Sequence, residues 1–256
     1  MLKRLSRWRE SRALRKQRIP EPLWQTAVLP LPVVQGLAAK ELRRLRELAS
    51  LFWRHKTING AGGLVVTDTL RARIAAQACL LILELGLDYF DGWQEIIVYP
   101  DAFVVQREQR DDDGLVHETR NALGGEAWDK GPVILSWQDA LNSNHPGASA
   151  NVILHEFAHK LDMLNGRANG MPPLHANMSQ QTWTSTWHDA YQDLCQTLAQ
   201  GRHTDIDPYA AENPAEFFAV LSENFFLRPH LLHAIYPAVY QQLQLFYRQD
   251  PRQRLH

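Results

Sequence analysis

The segment NVILHEFAHKLDMLNG, residues 151–166, places ionisable side chains inside an otherwise apolar helical pattern. His155, Glu156 and His159 stand there in the order His-Glu-x-x-His, among valine, isoleucine, leucine, phenylalanine and alanine. The helical spacing of these apolar residues predicts a helix that is largely buried. Burying three ionisable groups costs free energy unless a partner replaces their lost hydration. The segment therefore constrains the fold, because some partner has to reach this helix.

The remaining pattern predicts an α+β fold. Helical periodicity covers residues 36–53 and 68–86, with a glycine-rich break between them. Four short β-branched runs follow in residues 94–137, and the acidic turn RDDDGL separates the second and third like a hairpin loop. Helical patterns then continue to the C-terminus. With 256 residues, 45% of them hydrophobic, the chain can bury one substantial core. We expect a single domain with a small, mostly antiparallel sheet flanked by helices.

The N-terminus differs in charge from the rest of the chain. Residues 1–18 hold eight lysines and arginines against one glutamate, so they carry +7 in a chain whose net charge is −1. We divide the chain into a basic arm with a proline-rich connection, residues 1–35, and a domain, residues 36–256. A solvated terminal helix is the simpler interpretation of the arm. Because no base-reading motif follows it, we do not predict direct nucleic-acid binding.

Cysteine content and hydropathy bear on the compartment. Cys79 and Cys195 fall in apolar helical patterns and provide no disulfide framework, which favours a reducing compartment. No apolar run reaches the roughly 18 residues that a membrane-spanning helix needs. The basic N-terminus lacks the apolar stretch of a signal peptide. We expect a cytoplasmic protein without a membrane partner.

The two histidines of the segment lie four residues apart, which puts them on one helical face, close enough to share one metal ion. Neutral imidazole is a good zinc ligand. Glu156 would project beside the ion and accept a proton from the attacking water as general base. Asp162, on the same face as His159, could accept the distal N–H of a ligand histidine. The alternative is an amphipathic helix with surface histidines, in which Asp162 is a solvent-facing carboxylate.

A catalytic zinc site of this kind needs a third protein ligand. The best candidate lies in the run DPYAAENPAEFFAVLSENFF. Asn213 can cap a helix with Pro214 at its first position, which puts Glu216 in the first turn. Asn213 and Glu216 also resemble a capping box, which needs no metal. Among rival carboxylates, Glu212 precedes the cap and Glu223 lies two turns further on, whereas Glu216 heads an otherwise apolar helix.

The motifs HEFAHKLD, PYAAENPAEFFAV and GPVILSW together resemble the Mlc titration factor A (MtfA) family of zinc metallopeptidases, over nearly the whole chain. The resemblance implies a single gluzincin-like catalytic domain, similar to the core of anthrax lethal factor, with one zinc ion per chain. Matched motif by motif, its zinc ligands would be His155, His159 and Glu216. Glu156 would be the general base, and Tyr209 would match the tyrosine that stabilises the transition state.

The family also has a histidine upstream of the main motif that is linked to the zinc. His117, in GLVHETR, is its best match in this sequence. The resemblance therefore implies His117 as a further metal-binding residue.

The resemblance also implies a regulatory role. Members of the family bind the glucose-responsive repressor Mlc, keep it off DNA, and so raise expression of the glucose phosphotransferase system. They also show zinc-dependent peptidase activity of the aminopeptidase type. We therefore expect two partners, a peptide substrate and Mlc. The run GPVILSW is expected to form an edge strand, to which an extended peptide could add.

Two alternatives to a peptidase stay open. The first is a non-catalytic, zinc-containing protein that only sequesters a repressor. Glu156 and Tyr209 argue against it, since a structural zinc site needs neither a base nor an oxyanion donor. The second is a zinc hydrolase that acts on a non-peptide amide, which would use the same ligands.

Overall fold

The first third of the chain carries two long helices. The computed structural model describes residues 18–101, 103–110, 116–123, 125–127, 131–145 and 147–254, and it describes no side chain from 102 to 130. Helix α1 spans Ala39–His55 and helix α2 spans Asp68–Leu81. The Thr67 hydroxyl accepts the N–H of Leu70 and so caps α2. Both helices lie close to the segments that the sequence predicts.

The strands of the described residues form two sheets. They are β1 Thr57–Gly60, β2 Glu95–Tyr99, β3 Phe103–Arg110, β4 Val116–Leu123, β5 Gly125–Ala127 and β6 Val133–Ser136. The four-stranded sheet has the order β1-β2-β6-β5. In it β1 and β6 both run parallel to β2, and β5 runs antiparallel to β6. Strands β3 and β4 pair with each other as an antiparallel hairpin, as the acidic turn predicts.

The α+β class is confirmed, but the predicted strand direction is wrong for the main sheet. Strand β1 has only four residues and lies partly in the glycine-rich segment that the sequence analysis treats as a break. It connects to β2 through helix α2, and such a crossover joins parallel strands. The run GPVILSW is also not an edge strand, because β6 lies between β2 and β5. Local periodicity identifies a strand but not the neighbour with which it pairs.

Helices dominate the second half of the chain. They are α3 Trp137–Asn142, α4 Val152–Asp162, α5 Gln180–Ala199, α6 Pro214–Leu227, α7 Pro229–Ile235 and α8 Pro237–Tyr247. A short 3₁₀ helix, Pro208–Ala211, precedes α6. Helix α4 packs against α6 on one side and against strands β5 and β6. In the part of the chain that the structure describes, no helix is both long and apolar enough to cross a lipid bilayer.

The division of the chain at residue 35 stays a prediction, and residues 1–17 of the arm lie outside the described residues. From Ile19 to Val34 the chain forms short helical turns, and most of its apolar side chains are buried in the main core. The N–H of Ile19 donates to Oγ of Ser50 on α1 at 3.0 Å. Prolines in this connection begin helical turns, because proline fits the first positions of a helix.

Two aromatic clusters hold the helices α4 and α6 in place. Phe157 of α4 lies in the first cluster, 5.3–5.7 Å between ring centroids from Phe52, Phe90 and Trp93. In the second cluster, Phe217 and Phe218 of α6 each lie 5.6 Å from Trp187 of α5. Aromatic rings bury large apolar areas and favour such edge-to-face and tilted contacts. The clusters therefore fix the two helices whose polar faces meet.

A close approach at Gly170 joins the loop after α4 to the start of α6. Gly170 has a φ of +78°, and a Cβ at this position would lie 2.5 Å from the carbonyl oxygen of Pro214. The N–H groups of Asn169 and Gly170 donate to the Asp162 carboxylate at 2.8 and 2.7 Å. Glycine is required here, because positive φ disfavours other residues and the space for a side chain is already filled.

We expect Gly170→Ala to destabilise the protein more than Gly201→Ala. Both glycines have positive φ, but nothing lies within 4 Å of a Cβ built at Gly201. Gly201→Ala should therefore cost only backbone strain, about 1–2 kcal/mol. Gly170→Ala should cost the same strain plus the displacement of Pro214. Urea unfolding of both variants measures the difference, and equal losses would contradict the tight contact at Gly170.

Candidate metal centre

Helix caps place the candidate ligands. Helix α4 begins after Asn151, whose Oδ1 accepts an N–H of the first turn at 3.0 Å. Helix α6 begins after Asn213, whose Oδ1 accepts the N–H groups of Ala215 and Glu216 at 2.9 and 3.1 Å. Pro214 occupies the start of this helix, where a missing N–H costs nothing. The cap predicted from the sequence thus sets Glu216 in the first turn of α6.

His155 and His159 of α4 meet Glu216 of α6. Oε2 of Glu216 lies 3.0 Å from Nε2 of His155 and 3.1 Å from Nε2 of His159. The two nitrogens lie 3.2 Å apart. Within the described residues, these three side chains form the group that could hold a metal ion. The structure therefore brings together residues that the sequence predicts from two separate motifs.

The spacing of the three atoms suits a tetrahedral metal ion. With bonds of about 2.0–2.2 Å to nitrogen and oxygen, tetrahedral ligand atoms lie about 3.3–3.6 Å from one another. The observed 3.0–3.2 Å then requires an outward movement of roughly half an ångström or less. Two imidazoles and a carboxylate are also donors that zinc prefers. The residues therefore fit a bound metal ion.

The carboxylates around His155 attract positive charge. Burial disfavours the ionised form of Glu216, but its hydrogen bonds with His155 and His159 outweigh burial and hold its pKa far below the ordinary value. Burial also disfavours the charged form of His155, yet hydrogen bonds with Glu216 and Glu223 raise its pKa well above the ordinary 6.5. A proton on His155 can thus supply the positive charge that a metal ion would bring.

Glu223 supports the first histidine. Its Oε1 lies 2.7 Å from Nδ1 of His155, and its Oε2 accepts the backbone N–H of Asn151. From the sequence, Glu223 is only a rival candidate for the metal ligand, whereas in the structure it lies behind His155. The spacing in the sequence could have indicated this position, because residues seven apart, such as Glu216 and Glu223, share one face of a helix. Glu212, the other rival, is exposed at the end of the 3₁₀ helix.

The predicted hydrogen bond between Asp162 and a ligand histidine is not formed. Oδ2 of Asp162 accepts the N–H groups of Asn169 and Gly170, while Oδ1 of Asp162 and Nδ1 of His159 have no hydrogen-bond partner. Burial raises the pKa of Asp162, although those N–H groups oppose the rise. The prediction fails because Asp162 closes the loop that follows α4. Helical position does not reveal this tertiary contact.

The interpretations that need no metal are not supported by the geometry. The side chains of His155 and His159 are only 12% and 9% exposed, so they are not surface histidines. Asp162 is fully buried and does not face solvent. The Glu216 carboxylate lies against the two imidazoles, which is not the position that a capping box requires.

A cavity of about 510 Å³ is lined by His155, one of the three candidate ligands, and by Glu156 and Tyr209. Glu156 follows His155 on α4 and is 4% exposed. Tyr209 is 44% exposed, and its ring centroid lies 6.0 Å from that of His155. Asp207 shapes the turn that carries this tyrosine, since its Oδ1 accepts the Tyr209 N–H at 2.9 Å. The volume is within the range of small-ligand sites.

His117 lies in strand β4, where its backbone pairs with Gln109 of β3. Its side chain lies outside the described part of the structure. The role of His117 in metal binding therefore stays a prediction.

Comparison with known proteins finds similarity along most of the chain. The family model for glucose-regulated metallo-peptidase M90 matches residues 5–248. A Salmonella arizonae protein named Mlc titration factor A is 43% identical over 238 residues, which cover 91% of this chain and 93% of that protein. Proteins of the same name from Yersinia pestis (strain Pestoides F) and Yersinia pseudotuberculosis serotype O:1b are each 40% identical over 237 residues, covering 91% of this chain and 86% of those proteins. The matched range includes both helices that carry candidate ligands.

In protein stripped of metal ions, we expect the free energy of unfolding to fall as the pH rises. The stability that His155 contributes is complete below its ordinary pKa of 6.5 and is lost as the pH passes through its raised pKa. Glu216→Gln should weaken this loss, because an amide supports the charged imidazole less well. Urea unfolding at a series of pH values measures the effect, with the exposed Glu212→Gln as control. The same pH dependence in wild type and Glu216→Gln would contradict the pairing.

Proposed function

Because the chain belongs to the glucose-regulated metallo-peptidase family M90, we propose that it is a zinc-dependent peptidase. We assign it the aminopeptidase type and a second role, the binding of the repressor Mlc. One observation carries the proposal: ligand atoms of His155, His159 and Glu216 lie 3.0–3.2 Å from one another beside a cavity that Glu156 and Tyr209 line. A metal site with a purely structural role needs neither of these last two residues.

Glu156 is the proposed general base. His155, His159 and Glu216 would hold the zinc ion, which when bound lowers the pKa of water and polarises the scissile carbonyl. Glu156 adjoins His155 on α4 and lines the cavity, so its carboxylate can accept a proton from the attacking water. The same group can then pass that proton to the leaving amine. Because Glu156 lies on the helix that carries two of the proposed ligands, the distance between the base and the metal site is fixed.

Tyr209 is the proposed oxyanion donor. Its phenol borders the same cavity from the 3₁₀ helix that precedes α6. A hydroxyl there can donate a hydrogen bond to the oxygen that gains negative charge when water attacks the carbonyl. Because Tyr209 is 44% exposed, it lies on the open side of the site, where substrate enters.

The proposed regulatory role rests on the name of the related proteins. Their name, Mlc titration factor A, points to an interaction with Mlc. We propose that this chain binds Mlc in the cytoplasm, prevents its DNA binding and so modulates the glucose phosphotransferase system. A non-catalytic protein that only sequesters the repressor is the alternative. Activity measurements on Glu156 and Tyr209 variants distinguish the peptidase from the non-catalytic protein, because sequestration alone needs neither a general base nor an oxyanion donor.

We expect the purified protein to hold about one zinc ion per chain and to hydrolyse amino-terminal peptide substrates until a chelator removes the metal. Glu156→Gln should retain zinc and lose most turnover, because an amide cannot take the proton from water. Tyr209→Phe should lower kcat by about 10²–10³ with unchanged zinc content. Zinc is measured by elemental analysis and turnover with chromogenic amino-acid amides.

Two matched variants serve as controls for these substitutions. Tyr191→Phe removes a hydroxyl that bonds the carbonyl of Ala211 near the site, and it should leave turnover nearly unchanged. Glu212→Gln removes an exposed carboxylate before α6 and should do the same. Full activity of Glu156→Gln, or no zinc after reconstitution of the wild type, would refute the proposed peptidase.

Repressor binding should survive Glu156→Gln if sequestration, not cleavage, keeps Mlc from DNA. The substitution replaces one carboxylate oxygen by an NH₂ group on a side chain that is only 4% exposed, so it changes the outer surface of the protein very little. A gel-shift assay with Mlc and operator DNA compares the variant with wild type. Loss of binding in a folded Glu156→Gln variant would point to the active site as the surface on which Mlc docks.

A further inference from the structure

Glu223 is a buried carboxylate with both oxygens occupied. It lies in the interior of α6 and is only 4% exposed. One oxygen, Oε1, lies 2.7 Å from Nδ1 of His155. The other, Oε2, accepts the backbone N–H of Asn151. A single side chain of α6 therefore contacts α4 at two places, the cap residue and the ring one turn further on.

The contact with Nδ1 decides which ring nitrogen of His155 carries a proton. A carboxylate only accepts hydrogen bonds, so Nδ1 has to donate and must be protonated. In an imidazole that carries one proton, Nε2 then keeps its lone pair. Nε2 is the atom that faces Glu216 and His159, at 3.0 and 3.2 Å. Once the imidazole carries only this proton, the lone pair of His155 therefore points into the candidate metal centre.

The contact with Asn151 fixes where α4 begins. Asn151 is fully buried, and its Nδ2 donates to Oε1 of Gln77 on α2 at 2.7 Å. Its Oδ1 accepts the N–H of Leu154 and caps the helix. Glu223 completes this arrangement, since it accepts the backbone N–H of the cap residue. Three helices, α2, α4 and α6, thus meet at the residue that starts the helix with both histidines.

The two histidines differ in whether a carboxylate contacts Nδ1 of the ring. His155 has a carboxylate behind its distal nitrogen, whereas Nδ1 of His159 is buried without a hydrogen-bond partner. Metal-binding imidazoles are commonly oriented by such a carboxylate, which also makes the nitrogen a better donor to the metal. His155 is therefore the ligand that is already oriented, and His159 is not oriented in this way.

We infer that Glu223 is the positioning residue that sets the tautomer and the ring orientation of His155 for metal binding. The inference rests on the proposed function, because it assigns Nε2 of His155 to the zinc ion. Glu223 itself does not bind the metal, since both of its oxygens are already engaged with α4. It lines the cavity from behind the histidine.

Glu223→Gln is the discriminating substitution. Glutamine keeps the shape but has one acceptor oxygen and an NH₂ group that only donates. The two donors that Glu223 now accepts, Nδ1–H of His155 and N–H of Asn151, cannot both be satisfied by it. If the NH₂ faces His155, the imidazole has to protonate Nε2 and loses its metal-binding lone pair. We expect zinc affinity, measured by competition with a chromogenic chelator, to fall about 10–100-fold.

Ser222→Ala is the matched control. Ser222 precedes Glu223 on α6, is also buried, and accepts a hydrogen bond from the Tyr247 hydroxyl at 2.9 Å. Its loss should lower the free energy of unfolding without changing zinc affinity, because Ser222 does not touch His155. An equal fall in affinity for both variants would show that general loss of packing is responsible and would overturn the inference.

A spectroscopic measurement on the wild type makes the test independent of whether Glu223→Gln folds. In ¹⁵N–¹H spectra of the zinc-loaded protein, His155 should carry its proton on Nδ1. A proton on Nε2, with Nδ1 bound to zinc, would overturn the inference. Unchanged zinc affinity and an unchanged His155 spectrum in folded Glu223→Gln would overturn it too, and would leave the proposed peptidase intact. Failure of the wild type to bind zinc would instead refute the proposed function.

Discussion

The structure depends on balancing charge between two apolar helices. Helices α4 and α6 turn His155, His159, Glu216 and Glu223 toward each other in a largely buried interface. An isolated ionised group in such a place would cost several kcal/mol, and each of these groups is tolerated because another stands beside it. With Glu156, three carboxylates stand against two histidines at this junction. A metal ion at the junction would restore that balance, so the packing of the two helices and the chemistry of the site have the same cause.

Contacts outside the interface of α4 and α6 fix the positions of the candidate ligand atoms within it. Phe157 fixes α4 in one aromatic cluster, and Phe217 and Phe218 fix α6 in the other. Asp162, at the end of α4, holds the loop that brings Gly170 against Pro214, at the start of α6. The end of one ligand helix is therefore tied to the beginning of the other. Ligand atoms that must lie within about half an ångström of the required positions need such support.

Asp162 and Glu223 show where reasoning from the sequence stops. Both are carboxylates at helical spacing from a ligand, and both could in principle orient an imidazole. The sequence predicts Asp162 for that position, on the same helix, because the spacing of side chains within one helix follows from residue numbers alone. Glu223 holds the position in the structure, since α6 packs against α4 so that its third turn lies behind His155. The same limit applies to the sheet. The β-branched runs predict where β2 and β6 lie, but they do not predict that β1 and β6 pair with β2 in parallel.

The sequence by itself determined the helices, most strands, the helix cap at Asn213, and the three residues that meet at the candidate metal centre. These features follow from local periodicity, cap preferences and the fixed spacing of side chains on one helix, which need no knowledge of the rest of the chain. Strand order, the packing of residues 19–34 into the core and the role of Glu223 were decided only by the tertiary structure. Each depends on which surfaces pack together, and that choice is made by the burial of the whole apolar core rather than by any one segment.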